Sequence, residues 1–292
     1  MIAVLGPGGV GGLVAAAIAR AGEEVVVVAS EATAARINEH GIEVRSVRLG
    51  DFTARPPAVS ELSWPAGGLV VATKSVTLEA ALERVTAPPL LVMPFLNGLD
   101  HVAKLRERFE SSHVCAGAIR VESHRPEPGV VVQTSPFLRV DLAPVWPATV
   151  QFAKELEGAG IPTRVLDSEV EVMWGKLVRL NALACTTSAW DVSLGRIRDD
   201  PSRRSVLERC VSEGAAVARA EGAPVEPSTV IGELEDAHAT LGSSMQRDIA
   251  AGIEPELDAI PGAVLRAAAR HGLECPAIEE MVALIRVRLD AR

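Results

Sequence analysis

From residue 1 to about residue 166, short continuous apolar runs alternate with stretches that carry apolar residues at helical spacing. Residues 1–5 and 24–29 read as strands buried on both faces, with a helix over 11–21 between them. Residues 68–72 and 90–93 read as further strands, separated by a helix over 77–85. Uninterrupted apolar strands joined by helices imply a parallel sheet covered on both sides. Two later strands are expected at 113–122 and 129–142, joined by a tight turn around Pro126 and Gly129.

After Asp167 the periodicity becomes helical almost throughout, over 169–184, 201–221, 227–241, 261–270 and 276–289. Ser202 and Ser228, each beside a proline, suit helix starts; Gly222 and Gly272 suit helix ends. Residues 243–260 read as a capped, charged loop between two helices. The pattern divides the chain into an α/β domain over 1–167 and an all-helical domain over 168–292. A length of 292 residues supports two such cores.

Composition narrows the function. With 48% apolar and 23% charged residues, the chain has the balance of a folded globular protein. A net charge of -9 argues against nucleic acid or an anionic membrane as partner. No apolar run approaches the roughly 18 residues that span a bilayer. The N-terminus lacks the basic segment of a secretory signal, so a cytoplasmic location is expected. Cys115, Cys185, Cys210 and Cys275 are widely separated, which suits reduced thiols and gives no metal site. The chain has no tyrosine, and this excludes a Tyr–Lys catalytic pair.

The first chemistry-bearing motif is Gly6-Pro7-Gly8-Gly9-Val10-Gly11, a GxGxxG pattern between a predicted strand and a predicted helix. Gly6 permits the turn, Gly8 lets the backbone approach a pyrophosphate, and Gly11 allows close helix–strand packing. The helix N-terminus then holds the anion through its free N–H groups and its dipole. In that context the motif predicts a Rossmann-type, doubly wound sheet that binds a dinucleotide. After the second strand stand Ala29 and Ser30, with Glu31 next and Arg36 the nearest base. No acid occupies the usual ribose-binding place, so the reading leans to NADP, with NAD possible.

Beyond the carboxyl ends of later strands lie Thr73-Lys74 and Asn97-Gly98, where ligands sit in open α/β sheets. Each alone reads as a solvated lysine or a turn asparagine; with the glycine loop they suggest a site. Residues 170–178 set Lys176 among bulky apolar side chains, where a desolvated ammonium makes a plausible proton donor. A snorkelling surface lysine fits the same pattern. Ser244 and Glu256 could offer a hydroxyl and a carboxylate to a cleft.

These segments, GPGGVG, TKS around Lys74, NG at Asn97, WGKL around Lys176 and SSMQRDIAAG…ELDAI, together resemble the ketopantoate reductase family over nearly the whole chain. The resemblance implies a Rossmann domain and a helical domain with the active site between them, and NADPH-dependent reduction of a 2-keto acid in pantothenate synthesis. It implies Lys176 as proton donor, and Lys74 and Asn97 beside cofactor and substrate. Ser244 would lie on the substrate, and Glu256 at the cofactor ribose or orienting Lys176. Several positions depart from the family. An asparagine often found four residues after the lysine is Leu180, with Asn181 one place on as a candidate substrate ligand. A second asparagine is Ala184, the arginine after the second strand is Ser30, and a small residue beside the cofactor is Glu122.

The expected partner is a small 2-keto acid, 2-dehydropantoate first; a homodimer is left open by the sequence. The alternatives are a related keto-acid substrate, a dinucleotide-binding sensor without turnover, and a 3-hydroxyacid dehydrogenase of similar build.

Overall fold

The computed structural model describes residues 1–291. The chain packs as two compact units, one of Met1–Leu96 with His101–Val172, the other of Asn97–Asp100 with the chain from Met173 onward. The short piece Asn97–Asp100 thus packs with the second unit rather than with its sequence neighbours.

The first unit runs β1 (Ile2–Leu5), α1 (Gly9–Arg20), β2 (Val25–Val28), α2 (Glu31–His40), β3 (Ile42–Ser46), β4 (Phe52–Ala54) and β5 (Ala58–Val59). It continues with β6 (Gly68–Val71), α3 (Leu78–Leu82), β7 (Val92–Pro94), α4 (Asp100–Arg108) and β8 (Ala116–Arg120). The last elements are β9 (Ser123–Glu127), β10 (Val130–Gln133), β11 (Arg139–Ala143), α5 (Pro147–Gly158) and β12 (Thr163–Val165). A five-stranded parallel sheet has the order β5-β2-β1-β6-β7. Every residue of β1, β2 and β6 is buried, as expected for strands covered on both faces. This is the Rossmann-like sheet that the apolar runs and the glycine loop predicted.

Two smaller mixed sheets, β4-β3-β10-β9 and β12-β11-β8, accompany it. Helix α1 touches β1 and β2 on one side and β3, β4, β9 and β10 on the other. That placement accounts for its unbroken burial from Gly11 to Ile18, for a helix covered all round needs no polar face. The stretch 113–122 holds one strand, β8, as expected, whereas 129–142 holds two, β10 and most of β11, and β9 fills the gap between the stretches. β8 pairs antiparallel with β11, and β9 with β10. Pro126 lies inside β9 instead of in a turn; β9 is an edge strand, where the missing N–H costs no ladder bond. The turn itself centres on Gly129 (φ +80°). Strand β7 starts at Val92, not Leu90, which is 64% exposed. Only Leu78–Leu82 of the 77–85 helix is α-helical, after a 3-10 turn over Ser75–Thr77.

Beyond β12 the chain is helical: α6 (Glu169–Trp190), α7 (Leu194–Arg198), α8 (Pro201–Ala220), α9 (Pro227–Glu235), α10 (Ser244–Ala250), α11 (Ala263–Arg270) and α12 (Pro276–Asp290). Asp200 rather than Ser202 caps α8, its Oδ1 accepting from the Ser202 and Arg203 N–H groups at 2.9 and 3.2 Å. Likewise Glu226, not Ser228, stands at the start of α9. Helix α9 stops at Glu235, and beyond it the carbonyls of Ala239 and Leu241 accept from the first N–H groups of α7. Ser244–Ala250 is a helix, not a loop, with Ser243 as its cap. A π-helical turn over Asp258–Gly262 precedes α11, with Pro261 inside it; Gly262 N–H reaches back to Leu257 C=O at 3.0 Å.

Among the described residues, no helix is long and apolar enough to cross a membrane, and no group of three or more His, Cys, Asp or Glu could hold a metal ion.

All four thiols are free and buried. Burial pushes Cys115 and Cys185 up to about 12 and Cys275 up to about 11, and raises Cys210 as well. A thiol below its pKa is protonated and a poor nucleophile. At mildly alkaline pH the native protein should therefore leave a disulfide-type thiol reagent unreacted, and all four cysteines should react after unfolding. Labelling of the native chain at any of the four would contradict this placement.

Candidate active site

In the first unit the glycine loop joins β1 to α1. Gly6 has φ +88°, and a Cβ there would lie 2.8 Å from Thr73 Cγ2 and 3.1 Å from the Ala72 carbonyl oxygen. At Gly11 a Cβ would sit 2.2 Å from the Gly6 carbonyl oxygen, so helix and strand approach too closely for any side chain. Gly8 differs. A Cβ on it would meet nothing within 4 Å, and its N–H donates to Gly6 C=O at 2.8 Å. The glycine there answers to no packing constraint within the protein.

Gly9 is constrained by packing, which the motif does not foretell: a Cβ would fall 2.6 Å from the Ser123 carbonyl oxygen. Ser123 Oγ donates to Gly9 C=O at 2.8 Å and ties the loop to β9. Val10 packs against the core and Pro7 is half-buried. The first intrahelical bond of α1 runs from Gly12 N–H to Gly8 C=O, and no acid lies in the first turn. The N–H groups of the first turn are thus available to an anion.

Next to this loop, Thr73 follows β6. Its Oγ1 is buried without a hydrogen-bond partner, and its methyl group lies against Gly6. Lys74 is half-buried; its carbonyl accepts from the N–H and hydroxyl of Thr77, each at 3.1 Å. After β2, Ala29 is buried and Ser30 caps α2, accepting from Thr33 N–H at 3.4 Å and donating to Thr33 Oγ1 at 3.0 Å. Arg36 donates from Nε to the Pro128 carbonyl at 2.5 Å, so this base is engaged on the β9–β10 turn. Glu122 is half-buried between β8 and β9, its N–H donating to Ser135 Oγ at 2.9 Å.

In the second unit Asn97 and Glu256, 159 residues apart, meet: Asn97 Nδ2 donates to Glu256 Oε2 at 2.8 Å. Glu256 is only 6% exposed. The contact depends on Gly98, whose φ is +86° and whose Cβ would lie 2.1 Å from the Ala259 carbonyl oxygen. Asp100 closes the same segment with a 2.5 Å bond from Arg266, which also donates to Asp258 at 2.6 Å.

Lys176 is half-buried on α6 among Met173, Trp174 and Leu177, which are 9%, 2% and 2% exposed. Ser244 is the first residue of α10 and half-buried. Its neighbour Ser243 anchors that helix start: the Ser243 oxygen accepts from Gln246 N–H at 3.0 Å and from the Thr187 hydroxyl of α6 at 2.9 Å. Nothing in the run Thr186-Thr187-Ser188 distinguished Thr187 from an ordinary helix-interior residue. Asn181 is the remaining substrate candidate on this helix. It is wholly buried on another face of α6, with Oδ1 accepting from the Cys185 thiol at 3.4 Å and Nδ2 lacking a hydrogen-bond partner. One residue along a helix turns a side chain by about 100°.

Comparison with known proteins covers the whole of this architecture. Residues 2–144 match the family described as "Ketopantoate reductase PanE/ApbA", and residues 170–289 its C-terminal domain. A 2-dehydropantoate 2-reductase of Caulobacter vibrioides is 31% identical over 297 residues, covering 97% of each chain. Among solved structures, a 2-dehydropantoate 2-reductase from Geobacter metallireducens GS-15 superposes with TM-score 0.90 at 23% identity, covering 98% of this chain and 99% of that one. A ternary D-mandelate dehydrogenase structure with NADH and anilino(oxo)acetate superposes with TM-score 0.89 at 20% identity, covering 99% and 98%. The two matched segments span most of the sequence between them, and the chain belongs to the ketopantoate reductase family of oxidoreductases.

Proposed function

We propose that the protein reduces a 2-keto acid to the 2-hydroxy acid at the expense of a nicotinamide dinucleotide, with NADPH preferred and 2-dehydropantoate the first substrate to test. The observation that carries this is the Asn97–Glu256 bond, which joins two residues that sequence reasoning had separately assigned to a site. On this reading the first unit is the dinucleotide-binding domain and the second the substrate and catalytic domain.

The first unit fits the cofactor. The open space over Gly8, the first-turn N–H groups of α1 and the orphaned Thr73 hydroxyl suit a pyrophosphate and its flanking ribose. Lys74 lies at the end of β6, where a phosphate or substrate carboxylate would take its charge. Ser30 and Glu122 are the remaining cofactor candidates. The absence of an acid at Ala29 and Ser30 favours the 2′-phosphorylated cofactor, although Arg36 is held elsewhere. Glu31, exposed in the first turn of α2, keeps NADH in the comparison.

A bound reduced nicotinamide supplies the hydride. Lys176 supplies the charge and the proton: its ammonium donates to the substrate carbonyl oxygen and stabilises the negative charge developing there. The proton then passes from Nζ to that oxygen as the hydroxyl forms, and the amine is reprotonated from solvent. Glu256 holds the Asn97 amide in one orientation, leaving that amide's other N–H and its oxygen for substrate or ribose. The Ser244 hydroxyl, on the anchored start of α10, binds the substrate.

The test is oxidation of NADPH and of NADH by purified protein over a panel of 2-keto acids, extended to oxidation of 3-hydroxy acids. Turnover of 2-keto acids, faster with NADPH, is the expected result. Binding of NADPH without consumption of any keto acid would point instead to a dinucleotide sensor.

A further inference from the structure

We infer that the substrate side chain beyond the keto carbon rests on an apolar surface, so that the site has no requirement for a hydroxyl group there. The inference rests on the reading that Lys176 is the proton donor, and adds to it the class of acid that is reduced.

Residues three and four apart on a helix share a face, so the side chains next to Lys176 are those of Arg179, paired with Glu233 at 3.5 Å, and Leu180. The burial pattern of α6 agrees. Lys176, Arg179 and Leu180 are half-buried, whereas Leu177, Val178, Asn181 and Ala182 are at most 2% exposed. A group held by the Lys176 ammonium therefore has an isobutyl group one turn along. The next turn offers only Ala184, fully buried and without a polar atom. The amide of Asn181 lies one position round the helix, wholly buried on another face. The remaining polar groups of this unit that the site would use, Asn97, Ser244 and Glu256, sit on other segments, with Asn97 tied to Glu256. A substrate hydroxyl over the Leu180 side chain would lose its water beside an isobutyl group, with the Arg179 guanidinium held by Glu233.

The size of the effect separates two kinds of site. One built to hydrogen-bond a substrate hydroxyl rejects the analogue lacking it by about 10⁴–10⁵-fold, whereas an apolar site disfavours the hydroxylated isostere by no more than about 10²-fold. The pair 2-dehydropantoate and 3,3-dimethyl-2-oxobutanoate differs only by the 4-hydroxyl and decides between them. For the unaltered protein, kcat/KM for the deoxy acid should equal or exceed that for 2-dehydropantoate. Leu180→Asn should shift the ratio towards 2-dehydropantoate by about tenfold or more. Leu180→Ala, which stays apolar, should leave the order unchanged. A preference of the unaltered protein for 2-dehydropantoate by 10²-fold or more would overturn the inference and leave the keto-acid reductase standing. No turnover of either acid by protein that binds NADPH would remove both. The comparison within the unaltered protein needs no variant to fold.

Discussion

Lys176→Ala should lower kcat by about 10²–10⁴-fold, the range of a lost general acid, while NADPH binds as before. The reason lies in where the lysine stands. It is half-buried on a 22-residue helix beside Met173, Trp174 and Leu177, in surroundings where a charge is worth more than in water. Alanine is a good helix former and removes a partly desolvated ammonium, so the melting temperature should not fall sharply. Lys176→Arg separates charge from proton transfer, because guanidinium keeps the positive charge and does not release its proton near neutral pH. That variant should bind the keto acid but turn it over slowly. A Lys176→Ala enzyme with near-normal kcat would rule out the proposed proton donor.

The second large effect is expected at Gly8, by contrast with Gly11. Gly8 has φ −76° and ψ −160°, which alanine adopts without strain, and an added Cβ meets nothing within 4 Å. Gly8→Ala should therefore melt at the same temperature as the parent or slightly higher, because the unfolded chain loses freedom. Its affinity for NADPH should nevertheless fall tenfold or more, since the new methyl group stands where a pyrophosphate would approach the backbone. Fluorescence titration with NADPH, paired with a thermal melt, reads both quantities. Gly11→Ala should do the reverse, with stability lost first: its Cβ would lie 2.2 Å from the Gly6 carbonyl oxygen, and relieving such a clash typically costs about 1–3 kcal/mol. If Gly8→Ala bound NADPH as well as the parent, the glycine loop would not be the pyrophosphate site.

Much of the candidate site was legible because the chemistry proposed for it lies in local patterns. The GxGxxG motif between a strand and a helix can be recognised from neighbouring residues alone, and so can a lysine in an apolar helix. For Asn181, sequence adjacency to position 180 says nothing about facing, which a turn of about 100° decides. The sheet β4-β3-β10-β9 escaped notice because β9 is Ser-His-Arg-Pro-Glu, polar and interrupted by proline. Yet β3 alternates buried and more exposed residues along Ile42–Ser46, a period-2 signal that could have revealed it. The helix Ser244–Ala250 is not legible as one in the sequence, because seven residues offer little periodicity. Its cap, Ser243, bonds to Thr187 from a distant part of the chain.

By itself the sequence determined the class of each half: all-apolar strands can only be buried on both faces, and helical spacing cannot be satisfied in a sheet. It also determined the glycine loop, since few other residues tolerate φ +88° at Gly6 and none but glycine fits at Gly11. Tertiary structure decided what depends on residues far apart meeting. Asn97 and Glu256, 159 positions apart, became partners. The piece Asn97–Asp100 came to pack with the helical unit. Gly9 became a packing position against β9. The physical reason is common to all three: contact energies act over a few ångströms in space, and a single chain read in order records no distances between its remote parts.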